Sequence, residues 1–263
     1  MAIMPVESVF YHECCVPGIT LRCFASLPST NVAAAEAAQV GAPAGTLFIA
    51  DSQSAGRGRL GRTFVSPAGT GLYMSLILRP SFPASDVQYV TPCAAVAAAE
   101  ALEGVSGKSA GIKWVNDIYM AERKVCGILT QASFADDGRP DWIVLGIGVN
   151  LLPPMGGFPA ELRDKAGAVF GTDETSVDRM TVAANIINRF YAYYPCLSQK
   201  QFLDGYRRRS VLDGKCVLVG TDREGYHESA TVQGITDEFG LSVRMEDGTE
   251  TVLTAGEVSV KTQ

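Results

Sequence analysis

The chain lacks any apolar run approaching the ~20 residues that a membrane-spanning helix needs, and Met1 to Phe10 has neither the basic start nor the unbroken apolar stretch of a signal peptide. Histidine is scarce. Only His12 and His227 occur, neither in a triad-like context, so nucleophilic catalysis by a histidine-based triad is not expected. Positive charge is also short: the net charge is −6, which argues against a broad basic face for sequence-independent DNA binding but leaves room for a local phosphate pocket. No Cys-x-x-Cys pair is present among the seven cysteines. Cys14 and Cys15, near His12, have no second half at ligand spacing, so no metal site is expected there. Cys93, Cys126, Cys196 and Cys216 sit in apolar contexts and read as small buried hydrophobes. The expected setting is cytoplasmic and reducing. What the 263 residues do have is 47% hydrophobic side chains against 19% charged, enough for a sizeable core and too apolar for wholesale disorder.

Residues 19–25 read as a strand. Ser29, Thr30 and Asn31 are cap residues for an alanine-rich helix over 32–39, and 46–50 reads as a buried strand. Residues 51–69 form a long glycine-containing loop, the kind that is usually functional or mobile in a compact domain. A strand over 71–78 is followed by Ser85-x-x-Gln88, a capping-box pattern for a helix running to about Leu102, with Pro92 displacing or kinking its start. Strands follow at 112–114, 117–120, 125–134 and 142–152. Asp136-Asp137-Gly138 marks a hairpin. Helical blocks are expected from near Ser176 to Tyr194 and from Ser198 to Arg209, where Arg207-Arg208-Arg209 reads as a solvated, dipole-complementing end. Beyond Leu212 short alternating strands predict a small all-β barrel. The expected architecture is α+β: residues 1–211 as a mixed sheet with helices packed on one side, then 212–263 as the barrel.

Three features carry chemistry. In Gln53-Ser-Ala-Gly56-Arg57-Gly58-Arg59-Leu-Gly61-Arg62, glycines permit close backbone approach and the arginines offer forked donors, a composition suited to closing over a small anion; a solvated basic loop or a nucleic-acid-binding segment fits the spacing too. In Lys113-Trp114-Val115-Asn116-Asp117 followed by Lys124-Val-Cys-Gly127, a hairpin would bring Asp117 and Lys124 together, as a plain ion pair or as a lysine aimed at phosphate. Gly146-Ile-Gly148-Val-Asn150 is a strand whose glycines permit close ligand approach or tight packing.

In this order, with Ser29-Thr30-Asn31 ahead of them and Gly256-Glu257-Val258-Ser259 behind, these motifs resemble the biotin protein ligases from about residue 20 to the end. The resemblance implies a ligase domain with an SH3-like C-terminal barrel. Its chemistry would be biotin activated by ATP with Mg²⁺ to biotinyl-5′-AMP, then transferred to a lysine of a biotin carboxyl carrier protein or domain. It implies that Ser29, Thr30, Asn31, Gln53, Arg57, Gly58, Arg59, Lys124 and Gly127 hold biotin. Arg57, Arg59, Arg62, Phe64, Lys113, Asp117 and Asn150 would hold the nucleotide, Asn150 near its Mg²⁺, and Lys124 and Arg59 would be the catalytic pair. Two positions depart from the family: Val115 replaces a common proline, and Phe64 a tryptophan that stacks on adenine. Residues 1–18 are too short for a winged helix-turn-helix, so the resemblance is to ligases without a DNA-binding domain; no DNA or membrane partner is expected, and a homodimer is possible. A lipoate-type ligase with the same adenylate chemistry and a non-enzymatic nucleic-acid-binding protein are the alternatives.

Overall fold

A computed structural model describes residues 6–172, 174, 178–221, 226–254 and 257–260. Strict alternation in the strands decides how the layers stack. In β7 (Pro140–Asn150), Ile143, Leu145, Ile147 and Val149 point into the main core, while Trp142 and Val144 point to the other face. Beyond Val144 that second face carries Gly146 and then Gly148. Side chains fill the space there only from outside the strand, and a cleft opens.

β7 lies in the middle of a seven-stranded sheet with β1 (Thr20–Leu27), β2 (Thr46–Gln53), β3 (Gly71–Leu78), β4 (Gly111–Lys113), β5 (Asp117–Met120) and β6 (Arg123–Phe134), in the order β1-β2-β3-β7-β6-β5-β4. Only β1 and β2 run parallel. A parallel pair needs a crossover, and α2 (Thr30–Gln39) supplies it. Two longer helices, α3 (Val90–Ser106) and α4 (Arg179–Tyr193), pack against each other over the main core. A short N-terminal helix, α1 (Val6–Glu13), lies on α4. The large helices thus segregate to one face, as expected. The crossover helix is the exception: Ala34 and Ala38 of α2 pack with Phe48, Ile77, Trp142 and Val144 on the opposite face, where the cleft opens.

Local signals placed the helix ends imperfectly. Ser85 and Gln88 do not form a capping box: Gln88 Nε2 donates to Ser85 O at 2.9 Å, and a 3₁₀ turn over Ala84–Tyr89 precedes α3. Pro92 therefore falls in the helix's first turn, where its missing N–H costs nothing. α4 starts at Arg179, capped by Asp178, whose carboxylate accepts from Met180 N at 2.6 Å; Ser176 lies outside the described residues. Ser198 sits in a 3₁₀ turn and donates to Asp86, and α5 (Leu203–Arg208) begins later than expected.

Two of the four cysteines expected inside are exposed. Cys93 and Cys126 are buried, and burial pushes both thiols up. Cys196 stands in the exposed turn after α4, and Cys216 alternates outward while its neighbour Val217 takes the inward position.

The second sheet, β8 (Cys216–Thr221), β9 (Tyr226–Ile235), β10 (Leu241–Met245), β11 (Glu250–Leu253) and β12 (Glu257–Val260), is antiparallel in the order β11-β10-β9-β8-β12. Gly256 of the C-terminal motif lies outside the described residues. The sheet docks through its β9–β10 turn. Trp114 Nε1 donates to Phe239 O at 2.8 Å, and the Phe239 ring stacks on Phe202 and meets Tyr206 edge-on. The arginine run at the end of α5 is not simply a solvated helix end: Arg207 bonds Ile235 O and Asp237 of this turn, and Arg209 pairs with Glu103 of α3 at 2.6 Å. Among the described residues no helix is long and apolar enough to cross a membrane.

Candidate active site

The cleft lies over the glycine-bearing face of β6 and β7. Ser29, Thr30 and Asn31 enter from the start of α2, Gln53 from the end of β2, Arg57, Gly58, Arg59 and Phe64 from the loop above, and Asn116, Lys124 and Gly127 from the β4–β6 side.

The loop over the cleft is stitched at its base. β2 runs three residues beyond Ala50, paired with β1 as far as Leu27, and Gln53 N donates to Ser66 O (3.0 Å) across the loop's base. Ala55 N reaches Pro28 O (2.9 Å), Phe64 N reaches Gly56 O (2.9 Å) and Gly58 N reaches Arg62 O (2.7 Å), so the arginines ride on a doubled-back ribbon. A Cβ on Gly56 would stand 2.3 Å from Phe64 O, which explains the glycine. The Phe64 ring rests on the sheet floor, where a Cβ at Gly148 would come within 2.7 Å of it. Arg59 Nη1 donates to Asn116 Oδ1 at 3.0 Å, and Asn116 Nδ2 donates to Ile128 O at 3.0 Å. Asn116 thus ties the loop to the floor. The Trp114–Val115 peptide just before it is cis.

Lys124 and Asp117 do meet, at 2.7 Å. A bulge after Ile118 sets Lys124 opposite Tyr119 and Asp117 opposite Gly127, so the lysine side chain runs back along the ladder. A Cβ on Gly127 would sit 3.2 Å from Lys124 Cε and Nζ, so the glycine leaves the lysine its path. Tyr119 beside them is pushed up to about 12, by burial first and by Asp117 second, and stays a neutral phenol.

At the other end Gln53 is fixed on both sides of its amide. Oε1 accepts from Thr30 N at 2.8 Å, and Nε2 donates to Ser66 Oγ at 2.9 Å, which in turn donates to Phe64 O. Asn31 Nδ2 donates to Leu129 O and to Gln131 Oε1, both at 3.1 Å. The Asn31 amide occupies the space a side chain at Gly146 would need, 1.8 Å from the built Cβ. Gly146→Ala is therefore expected to displace Asn31, lowering stability by about 2 kcal/mol and weakening ligand binding at the same end; denaturant unfolding and ligand titration check this, and unchanged values for both would show that Asn31 moves aside freely.

Of the residues singled out from sequence, Ser29, Thr30, Asn31, Gln53, Arg57, Gly58, Arg59, Phe64, Lys124 and Gly127 line one cleft. Four do not line it. Asp117 stands behind Lys124, and Lys113 pairs with Asp117 across β4 and β5. Arg62 closes the loop's hairpin. Asn150 lies opposite Gly71, with Nδ2 donating to Gly167 O at 3.0 Å. Sequence reasoning did not single out Asn116, Ser66 or Gln131 as side chains acting at this site. Their roles are made by contacts between distant segments, and only Asn116 stood inside a recognised motif. Among the described residues no three His, Cys, Asp or Glu side chains gather as a metal site.

Comparison with known proteins agrees with this geometry. Residues 23–150 match the Biotin/lipoate A/B protein ligase family. The bifunctional ligase/repressor BirA of Bacillus spizizenii is 33% identical over 234 residues, 87% of this chain and 70% of that protein. The biotin–[acetyl-CoA-carboxylase] ligase of Paracoccus denitrificans is 30% identical over 240 residues, covering 88% and 96%. A biotin protein ligase from Aquifex aeolicus, solved in complex with biotin and ATP, superposes with a TM-score of 0.76 at 26% identity over 93% of this chain and 99% of that one. With a glycine-floored cleft that is polar at one end and cationic at the other, and with a relative 30% identical that is matched over 96% of its length, this chain belongs to the biotin protein ligases of the Biotin/lipoate A/B protein ligase family.

Proposed function

We propose that the cleft binds biotin with its ring against Ser29, Thr30 and Gln53 and its carboxylate beneath Arg57, Arg59 and Lys124, where ATP activates it. The observation that carries this reading is the polarity of the cleft: fixed amide and hydroxyl groups at one end, cationic side chains at the other, and between them a floor of Gly127, Gly146 and Gly148 that carries no side chains of its own.

The reaction needs no nucleophile from the enzyme. A biotin carboxylate oxygen attacks the α-phosphorus of ATP and pyrophosphate leaves. A carrier lysine amine then attacks the acyl carbon of biotinyl-5′-AMP, AMP leaves, and the amine gives up its proton as the amide forms. Both steps concentrate negative charge on phosphate oxygens. What the chain must supply is alignment and fixed positive charge, which Arg57, Arg59 and Lys124 provide. Mg²⁺ would accompany the nucleotide and supply further positive charge to its phosphates, with Asn150 the residue assigned nearest it. Phe64, inside the cleft, and Arg62, Lys113, Asp117 and Asn150, outside its lining, are assigned to the nucleotide together with Arg57 and Arg59. Phe64 offers a smaller stacking face than tryptophan. The acceptor is a lysine of a biotin carboxyl carrier domain. All seven cysteines are free thiols, which suits a reducing cytoplasm.

Biotin-dependent exchange of pyrophosphate into ATP tests the reading. Exchange with biotin and none with lipoate is expected; exchange with lipoate alone would reassign the chain to lipoate ligation. Duplex DNA is not an expected partner of the segment from Leu212 onward, because acidic residues outnumber Lys215, Arg223, Arg244 and Lys261 there. Tight duplex binding by the full chain at physiological salt, abolished by neutralising those four residues, would contradict that.

A further inference from the structure

Tyr206 of α5 is wholly buried, and among the described residues its hydroxyl has no hydrogen-bond partner. Asp117 Oδ1 on β5 is also buried and also accepts no hydrogen bond. That oxygen has an ionic partner, Lys124 Nζ at 2.7 Å, so its charge is balanced while its capacity to accept a directed hydrogen bond is unused. A phenol carries one proton to donate and a carboxylate can only accept. The two unpaired atoms are complementary.

The chain brings them to one corner of the sheet. Just past α5, Arg209 O accepts from Ile112 N at 2.6 Å, and Val211 N donates to Ile112 O at 3.1 Å. Ile112 belongs to β4, which pairs Lys113 with Asp117. One helical turn before Arg209, the Tyr206 ring meets Phe239 edge-on, and Phe239 O accepts from Trp114 Nε1. Tyr206 is thus held at the edge of the strand pair that carries Asp117. The charged groups near enough to act on its hydroxyl are Arg59 and Asp117. Burial pushes the phenol up, Arg59 opposes the rise and Asp117 adds to it, so Tyr206 remains a protonated donor.

Phenylalanine would fill the same space beside Phe239 without burying an unpaired hydroxyl, which is costly. The hydroxyl gains a use when the site is occupied. Lys124 is the cation that the reading above aims at the acyl phosphate, and an ammonium drawn to that group leaves Asp117 behind. A largely buried carboxylate that loses its cation is expensive unless another donor meets it. We propose that Tyr206 is a positioning residue whose hydroxyl donates to Asp117 when Lys124 turns to the acyl phosphate, so that the lysine is released to the ligand at little cost. The proposal rests on the biotin-activation reading and names the group that lets Lys124 change partners.

Tyr206→Phe keeps the ring and removes the hydroxyl. Thermal unfolding without ligand, pyrophosphate exchange, and titration with a biotinyl-adenylate analogue carrying a sulfamate in place of the phosphate are to be measured on wild type, Tyr206→Phe, Asp117→Ala and the double variant. Wild-type protein without biotin-dependent exchange would defeat the underlying reading whatever Tyr206 does. Given exchange, ligand-free Tyr206→Phe should melt no lower than wild type, because the group it loses is unpaired. It should bind the analogue about tenfold more weakly, the size of a hydrogen bond to a charged group. The kcat for exchange should fall by a similar factor with the KM for biotin unchanged. In the Asp117→Ala background the substitution should cost no further affinity, because Tyr206 acts through Asp117. A crystal structure of the wild type with the analogue should place Tyr206 Oη within hydrogen-bond distance of Asp117, and it decides the matter if a variant does not fold. A lower melting temperature without ligand, unchanged affinity for the analogue, an equal loss in the Asp117→Ala background, or a hydroxyl still apart from Asp117 in the complex would overturn the proposal.

Discussion

Replacing Lys124 with alanine is expected to slow formation of biotinyl-5′-AMP by on the order of 100- to 1,000-fold, about 3–4 kcal/mol of transition-state stabilisation, with the fold intact. Lys124 reaches the cleft along a path that Gly127 keeps clear, and Asp117 holds its ammonium at 2.7 Å. Both side chains remain partly exposed, so their attraction adds at most about 1 kcal/mol to stability. A residue whose only task was that ion pair would therefore lower the melting temperature slightly and leave chemistry alone. Pyrophosphate exchange and thermal unfolding, measured on the same preparation, separate the two roles. Near-wild-type exchange with a lowered melting temperature would make Lys124 a structural partner of Asp117 and remove it from the mechanism.

Arg59→Gly is expected to loosen the enzyme's hold on the intermediate by about 100-fold and to weaken ATP binding much less. Arg59 is the arginine tied to the floor, through Asn116, while its guanidinium lines the cleft. With Arg57 and Arg62 it places three like charges on one short ribbon, which repel until an adenylate supplies the opposite charge. Closure over the acyl phosphate would exclude water from a hydrolysable group until the carrier arrives. The variant should release biotinyl-5′-AMP and label nearby lysines without discrimination. Cleavage of residues 54–63 by protease should fall when the wild type holds the adenylate. Equal cleavage with and without ligand, together with unchanged retention in the variant, would leave these arginines as static binding groups.

Much of this arrangement is legible in the amino-acid sequence. β3 and β7 stood out as short continuous apolar runs between turn signals, the pattern of strands buried on both faces. The arginine loop and the Lys113–Asp117 motif were visible because their chemistry is compact in sequence. What escaped depends on contacts between distant segments. The purpose of Gly146 becomes apparent only when Asn31 is seen in the space of its missing side chain. Ser75 reads as one polar residue in an apolar strand, and its meaning comes from Thr30 and Asn31, more than forty positions away. Cys196 and Cys216 had apolar neighbours but lie on outward positions, since neighbours in sequence report the segment and not the face. The capping pattern at Ser85 failed for a related reason: Asp86 takes the serine hydroxyl, and the chain makes a 3₁₀ turn before α3.

Activation of biotin in this cleft and its transfer to a carrier lysine, with Lys124 and Arg59 as the catalytic pair, can be read on the acceptor itself. Mass spectrometry of a biotin carboxyl carrier domain, incubated with the protein, biotin and MgATP, tests it most directly. One lysine of the carrier should gain one biotinyl group with the wild type; the gain should require ATP and be nearly lost with Lys124→Ala. An unmodified carrier that a known biotin ligase modifies under the same conditions, or equal labelling by wild type and Lys124→Ala, would contradict it.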